Sequence, residues 1–305
     1  MAMKAIVADK FGGPEVLQLR EVEKPLPKAD EILVKVHATT VSAGDSRMRS
    51  LNVPPLFWLP ARITLGFTKP KNPIYGMELS GEVEAVGKDV TRFKPGDPVF
   101  ASTLTVNFGG HAEYKCLPEY GLVMAKPRNL SFEEAAAVPI GAPTALRLIR
   151  KGGLQPGQRV LVYGASGSVG TYAIQITKAL GAHVTGVCGP ANLEMVKSLG
   201  ADQVVDYTRE DFSNAGPVYD VILDTVAKCP KAQAAKALKP NGKYVTILNL
   251  SSKQNLEELA FIKELIEAGK MKVVIGRRYP LENIVEAHRY VDTGHKSGNV
   301  VITVR

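Results

Sequence analysis

Cysteine is scarce in this chain: Cys116, Cys188 and Cys229 are the only three in 305 residues. They are odd in number, far apart and never spaced C-x-x-C. That excludes a disulfide framework and a cysteine-built structural zinc lobe, and it fits a reducing, cytoplasmic setting. Long apolar runs are missing as well. None approaches the roughly 18 residues that a membrane span needs, and the N-terminus leads straight into a strand-like segment, so neither a span nor a secretion signal is expected. Acidic residues are the charge in short supply, 30 against 38 Lys and Arg, for a formal charge of +8. The basic residues are nevertheless scattered, with no stripe interleaved with aromatics. This argues against a nucleic-acid partner and for a cationic surface that draws in anionic cofactors. His37, His111, His183, His288 and His295 show no metal-ligand spacing and read as structural or surface residues.

What is present is enough apolar material for a sizeable core, 45% of residues, in a chain long enough for two domains. Its most informative stretch begins at Arg159-Val160-Leu161-Val162-Tyr163, a β-branched run of the kind that forms a strand buried on both faces. Gly164, Gly167 and Gly170 follow at G-x-x-G-x-x-G spacing, and Ala173, Ile176 and Leu180 then recur at helical intervals. A strand, a glycine turn and a helix in that order aim free N–H groups and a positive dipole end at whatever lies above the strand. That is a phosphate or pyrophosphate site. Gly164 would permit the sharp turn, Gly167 the approach of the ligand to the backbone, and Gly170 close packing of the helix. Ser166, Ser168 and Val169 complete the loop as candidate cofactor contacts. A second strand at 183–188 supplies the context that a lone glycine triplet lacks.

Upstream, residues 4–8, 17–21 and 31–38 predict strands of an antiparallel, barrel-like module. Residues 52–71, with Leu56, Phe57, Trp58 and Leu59 among several prolines, read as a long apolar loop and a candidate lid over a substrate pocket. Ser131 with Glu133 and Glu134 marks a helix start, and 135–149 is expected to be mostly helical. Beyond the glycine turn, helices at 193–199 and 230–238 alternate with strands at 203–207, 218–224 and 242–248. That alternation argues a parallel sheet covered on both faces. An amphipathic helix at 256–269, a strand at 272–275, a helix at 284–293 and a strand at 298–304 follow, and these last strands resemble the first part of the chain. The expected fold class is α/β: a cofactor domain with a doubly wound parallel sheet, inserted into a split β-rich domain, the reaction taking place between them.

The chain resembles the medium-chain dehydrogenase/reductase superfamily, and within it the zinc-free, zeta-crystallin-like quinone oxidoreductases. The likeness covers nearly the whole length and rests on Phe11-Gly12-Gly13-Pro14-Glu15-Val16-Leu17, on Gly76-Met77-Glu78 with Gly81 and Val83, on Phe93-Lys94-Pro95-Gly96-Asp97-Pro98-Val99, on the glycine turn and on Lys197-Ser198-Leu199-Gly200-Ala201-Asp202. It implies a GroES-like catalytic domain at 1–126, a Rossmann domain at 127–268, and a return to the catalytic domain at 269–305. It also implies a homodimer joined through the Rossmann sheets.

Zinc members of the superfamily take a catalytic ligand from the His of a Gly-His-Glu run. Met77 stands at that place here, and Gly44-Asp45 occupies the region of the first cysteine ligand, so the resemblance implies a site without zinc. The chemistry left is hydride donation to an already electrophilic acceptor, a quinone or an α,β-unsaturated carbonyl on a small hydrophobic substrate. Tyr75 and Ser42 are the candidate hydrogen-bond donors to the oxyanion that forms, although packing and turn roles suit them equally. The second strand ends at Cys188-Gly189-Pro190-Ala191-Asn192 with no carboxylate for the ribose hydroxyls, which favours NADPH over NADH. Relatives often carry Lys where Ala191 stands, and Tyr207 with Arg209 would compensate. Thr144, Asn192, Asp224, Leu248 and Asn299 are carried over by position as further cofactor contacts. Two other readings stay open from the sequence: a nucleotide-sensing or RNA-binding module without catalysis, for which the +8 charge speaks, and a zinc-type alcohol dehydrogenase.

Overall fold

The structure is a computed structural model and describes residues 1–52, 55–250 and 254–305. It divides into two compact units, Met1–Ile140 with Ile275–Arg305, and Gly141–Val274. Residues 127–140 therefore fall in the first unit and 269–274 in the second, whereas the sequence reading divides at 126/127 and 268/269.

The first unit runs through β1 (Ala2–Ala8), β2 (Leu17–Glu23), β3 (Glu31–Thr40), α1 (Ala43–Ser50), α2 (Pro55–Leu65), β4 (Glu78–Val86), β5 (Pro98–Ser102), β6 (Tyr114–Pro118), β7 (Val123–Ala125) and α3 (Phe132–Ala136). The second holds α4 (Gly141–Gly152), β8 (Arg159–Tyr163), α5 (Ser168–Ala179), β9 (His183–Cys188), α6 (Leu193–Ser198), β10 (Gln203–Asp206), β11 (Tyr219–Asp224), α7 (Lys231–Ala237), β12 (Leu238–Thr246) and α8 (Leu256–Glu267). The chain then returns to the first unit with β13 (Ile275–Pro280), α9 (Ile284–Asp292) and β14 (Asn299–Thr303).

In the first unit β1 and β2 form an antiparallel pair, and a larger sheet runs β13-β14-β3-β4-β5-β7, with β6 also on β3. The long β3 is the hub. It pairs antiparallel with β4, β6 and β14, and Ile32, Val34 and Val36 on it pack with Leu79, Val83, Val99 and Leu117. Alternate residues of an antiparallel strand share a face, which is why a period-two apolar pattern builds this core. A second core gathers Ile6, Val16, Leu17, Val41 and Tyr75 with Leu281, Ile284, Ala287, Val291, Val300 and Ile302, so the C-terminal return is an integral part of the unit.

The second unit has one parallel sheet in the order β10-β9-β8-β11-β12. The order reverses direction at β8, the switch point at which such sheets bind ligands beyond their carboxyl ends. Val160, Leu161 and Val162 of β8 have no solvent exposure, as a strand covered on both faces requires.

Two local expectations differ from the structure and two are sharpened by it. Ser42, for which a turn role suits equally, is the N-cap of α1, where it forms with Asp45 a reciprocal capping box that satisfies the first N–H groups. The stretch read as an apolar loop contains α2, an ordinary length for a helix, with Pro60 inside it; residues 53 and 54 of that stretch lie outside the described residues. Residues 135–149 are mostly helical as expected, in two helices, α3 and α4, separated around Pro139, which has no N–H to continue the ladder. The strand placed at 272–275 begins instead at Ile275 and pairs with β14 in the first unit's sheet.

Candidate functional site

Tyr163 ends β8, and Gly164 turns the chain with φ +79°, a left-handed conformation that a β-carbon would strain. The N–H groups of Gly164 and Ala165 both donate to the Val187 carbonyl, at 3.1 and 3.0 Å, and tie the turn to β9. Gly167 caps α5 without a side-chain hydrogen bond, and a β-carbon there would touch only the Gly164 carbonyl at 3.4 Å, so its outer side is open. At Gly170 a β-carbon would run into the Gly164 carbonyl oxygen and stand 2.8 Å from Ala165 Cα. The turn is thus closed from behind by Gly170, while Gly167, Ser168 and Val169 open the first turn of a 12-residue helix whose leading N–H groups have no intrahelical acceptor. Ser166 lies in the same loop, half-buried.

At the end of β9, Gly189 leaves space that the ring of Tyr207 borders, with the Tyr207 hydroxyl 3.6 Å from where a β-carbon would sit. Tyr207 is 48% exposed and Asn192 ends a short 3-10 turn. At the ends of β11 and β12 lies a cavity of ≈ 440 Å³, lined among others by Asp224, Cys229, Tyr244, Thr246, Leu248 and Asn249. Asp224 is fully engaged there: it accepts from the N–H groups of Val226, Lys228 and Cys229 and from the Tyr244 hydroxyl at 2.8 Å. Its role is to fix the loop after β11. Leu248, in contrast, is 66% exposed. Thr144 sits on α4, where it accepts a hydrogen bond from Arg147 at 3.3 Å, and Asn299 is a buried residue of the first unit.

In the first unit Ser42 and Asp45 meet Met77. The Ser42 hydroxyl donates to Asp45 Oδ2 at 2.6 Å, accepts from the Asp45 N–H at 3.2 Å and lies 3.7 Å from Met77 Sδ. Its one proton is therefore engaged with Asp45. Tyr75 is 2% exposed in the apolar core, and burial pushes its hydroxyl pKa up to about 12 despite the nearby Arg49 charge. The structure thus gives both candidate donors internal neighbours, the cap of α1 for one and the core for the other.

Sequence reasoning missed Glu78 and Lys296. Glu78 is 3% exposed, accepting from Thr40 Oγ1 at 2.6 Å and from the Ile140 N–H at 2.8 Å. Loss of solvent raises its pKa to about 8, against the pull of those two hydrogen bonds. Lys296, half-buried, donates to the Gly298 carbonyl at 2.7 Å, and desolvation lowers it to about 8, offset by Glu78. A carboxylate opening the apolar strand β4 is a visible signal for Glu78. Nothing in the local sequence marks Lys296.

Two family models match the chain: "Alcohol dehydrogenase GroES-like domain" over residues 28–128 and "Zinc-binding dehydrogenase" over 168–275. A chloroplast envelope quinone oxidoreductase homolog from Arabidopsis thaliana is 32% identical over 98% of each chain. The chain belongs to the medium-chain dehydrogenase/reductase superfamily, in its quinone oxidoreductase branch. Another Arabidopsis thaliana relative, a chloroplastic NADPH-dependent alkenal/one oxidoreductase, is 30% identical over 98% of this chain and 79% of its own. Among solved structures, the quinone oxidoreductase of Coxiella burnetii superposes with a TM-score of 0.84 at 28% identity, covering 100% of both chains. Membership makes the protein an oxidoreductase and its two units a GroES-like domain and a Rossmann-like domain. The non-catalytic reading falls with it. Among the described residues no helix is long and apolar enough to cross a membrane.

Proposed function

We propose that this quinone oxidoreductase family member transfers a hydride from NADPH to a quinone or an α,β-unsaturated carbonyl, without a metal ion. The observation that carries this reading is the set of side chains around Met77. A thioether replaces the imidazole that zinc members use, Asp45 Oδ2 accepts from both the N–H and the hydroxyl of Ser42, and Glu78 is occupied by Thr40 and Ile140. Such a donor set does not fit zinc. An ordinary carbonyl would then lack a Lewis acid, and an alcohol would lack a metal-stabilised alkoxide. Acceptors that are already electrophilic remain, which agrees with the names of the relatives.

A reduced nicotinamide dinucleotide, when bound, supplies the hydride. This chain's residues hold and orient it. The open side of Gly167 and the first N–H groups of α5, at Ser168, Val169 and Gly170, suit the pyrophosphate. The end of β9 offers Gly189 and Asn192 with the Tyr207 ring beside them; Asp206, in register with Cys188, is buried and accepts from Thr208, and Arg209 adds a cation to the loop after β10 that holds Tyr207. That combination favours NADPH over NADH. Thr144, Leu248 and Asn299 are proposed contacts of the same ligand, and Asp224 supports them through its loop. Protonation of the reduced acceptor is assigned to water, with Ser42 the better placed of the two hydroxyls because it is only half-buried. The open edge of β12 suits a homodimer, and three unpaired cysteines suit a reducing cytoplasm.

A panel of quinones, enones and enals tests the proposal through acceptor-dependent loss of NADPH absorbance. Turnover with several of them is the expected result. Silence across the panel, together with alcohol oxidation by a protein carrying one zinc per chain, would replace the reading with a zinc-type dehydrogenase.

A further inference from the structure

Among the described residues of the first unit, nine buried side-chain atoms have no hydrogen-bond partner in the protein, and seven of them belong to five residues: Nε and Nη1 of Arg49, the Tyr75 hydroxyl, Nδ1 of His111, both ring nitrogens of His288, and Oδ1 of Asp45. All five residues are 2% exposed or less. Protein interiors rarely leave so many polar atoms unmatched in one place.

The side chains of Arg49, Tyr75, His111 and His288 gather in one place. The rings of His111 and His288 meet edge-on with centroids 5.9 Å apart. The backbone N–H of His111 donates to the Tyr75 carbonyl at 2.9 Å, and the charge of Arg49 bears on both Tyr75 and His288. Asp45 lies one helical turn before Arg49 on α1, so the two share a face of that helix. Arg49 has a single carboxylate partner, Asp292 of α9, at 2.7 Å from Nη2.

Donors and acceptors can be assigned. His111 Nε2 lies 2.8 Å from the Thr40 carbonyl, which only accepts, so in the neutral ring the proton sits on Nε2 and Nδ1 presents a lone pair. Burial, reinforced by His111 and Arg49, holds the pKa of His288 well below its usual value, so its neutral ring presents one N–H and one lone pair. The locus therefore offers donors from Arg49, Tyr75 and His288 and acceptors from His111, His288 and Asp45.

We propose that Asp45, Arg49, Tyr75, His111 and His288 bind a small cluster of internal water molecules between α1 and α9. An anion would satisfy Arg49 and Tyr75 but would face two imidazole lone pairs and a carboxylate oxygen. A metal cation would satisfy those acceptors but would face the guanidinium. Water both donates and accepts, and it needs two to four polar partners, which this locus supplies. The cluster completes the hydration of Arg49 beside the contact of α1, which carries Ser42 at its cap, with α9, where Arg49 and Ser46 both meet Asp292.

The test is a high-resolution crystal structure of the intact wild-type protein, with a parallel bromide soak. The expected result is ordered water within hydrogen-bond distance of both Arg49 and a His288 ring nitrogen, with no anomalous bromide peak. Direct side-chain hydrogen bonds with no solvent density between them would overturn the proposal, as would a bromide or metal peak at the locus. Two variants give an independent reading by thermal unfolding. His288→Gln, which keeps one donor and one acceptor, is expected to lower the midpoint less than His288→Leu, and equal midpoints would contradict bound water.

Discussion

The glycine turn and the surroundings of Met77 are assembled in opposite ways. Residues 163–171 shape the turn largely among themselves, with Gly167 bonded to Gly164 and Thr171 to Gly167, and β9 added as a tether. Around Met77 the contributors are Thr40, Ser42, Asp45, Glu78, Ile140 and Lys296, drawn from both ends of the chain. A site built from neighbours in sequence carries its geometry in its spacing. One built across a long separation carries only its residue types, and the fold must supply the geometry.

The sharpest way to break this comparison is at Gly170. With backbone atoms where its β-carbon would go, Gly170→Ala is expected to cost about 1–3 kcal/mol of overpacking, lowering both the unfolding midpoint and NADPH affinity, the latter by about 10–100-fold. At Gly167 a β-carbon would meet only the Gly164 carbonyl, at an ordinary contact distance of 3.4 Å, and the backbone is already extended. Gly167→Ala is expected to leave the midpoint unchanged and still to weaken NADPH binding by about tenfold, some 1.4 kcal/mol. Titration calorimetry beside a thermal melt separates the two, and equal effects on both readouts would refute the division of labour within the turn.

On the Met77 side the largest expected effect is on pH dependence. Glu78 has a folded-state pKa of about 8, raised from 4.5 by burial. The folded protein therefore holds a proton that the unfolded chain has released between those values. Glu78's contribution to stability is present below pH 4.5 and is lost as pH rises through about 8. Glu78→Gln removes that slope, so the variant is expected to gain on wild type across this window, as denaturant melts at several pH values will show. Parallel curves would contradict a neutral Glu78.

Two smaller effects sharpen the picture. Ser42→Ala removes a capping box and is expected to cost about 1 kcal/mol of stability, measured by denaturant unfolding, with a modest fall in turnover. Ala191→Lys places an exposed cation beside Gly189 and is expected to favour NADPH over NADH by up to about fivefold in relative KM, within the 0.2–1 kcal/mol of an exposed charge pair.

Much of the fold was legible because its signals are local: β-branched runs for β8 and β9, helical periodicity after Gly170, and Ser131 capping α3 through Glu134. Where reading failed, the deciding contacts were distant or reciprocal. Residues 43–50 carry little apolar patterning, and only the Ser42–Asp45 exchange shows that a helix starts there. Ile275 opens a strand because β14 lies beside it, 24 residues later in register with Asn299. In the candidate site, the glycines were visible from spacing and Met77 from the family pattern, and Glu78 shows as a carboxylate opening an apolar strand, whereas Lys296 becomes notable only through its burial.

The most direct test of metal-free hydride transfer from NADPH is turnover after exhaustive dialysis against a strong chelator, with bound metal counted before and after. The account predicts that NADPH-dependent quinone or enone reduction continues at an undiminished rate with no zinc in the protein. Activity that disappears with the metal and returns when zinc is added would contradict it.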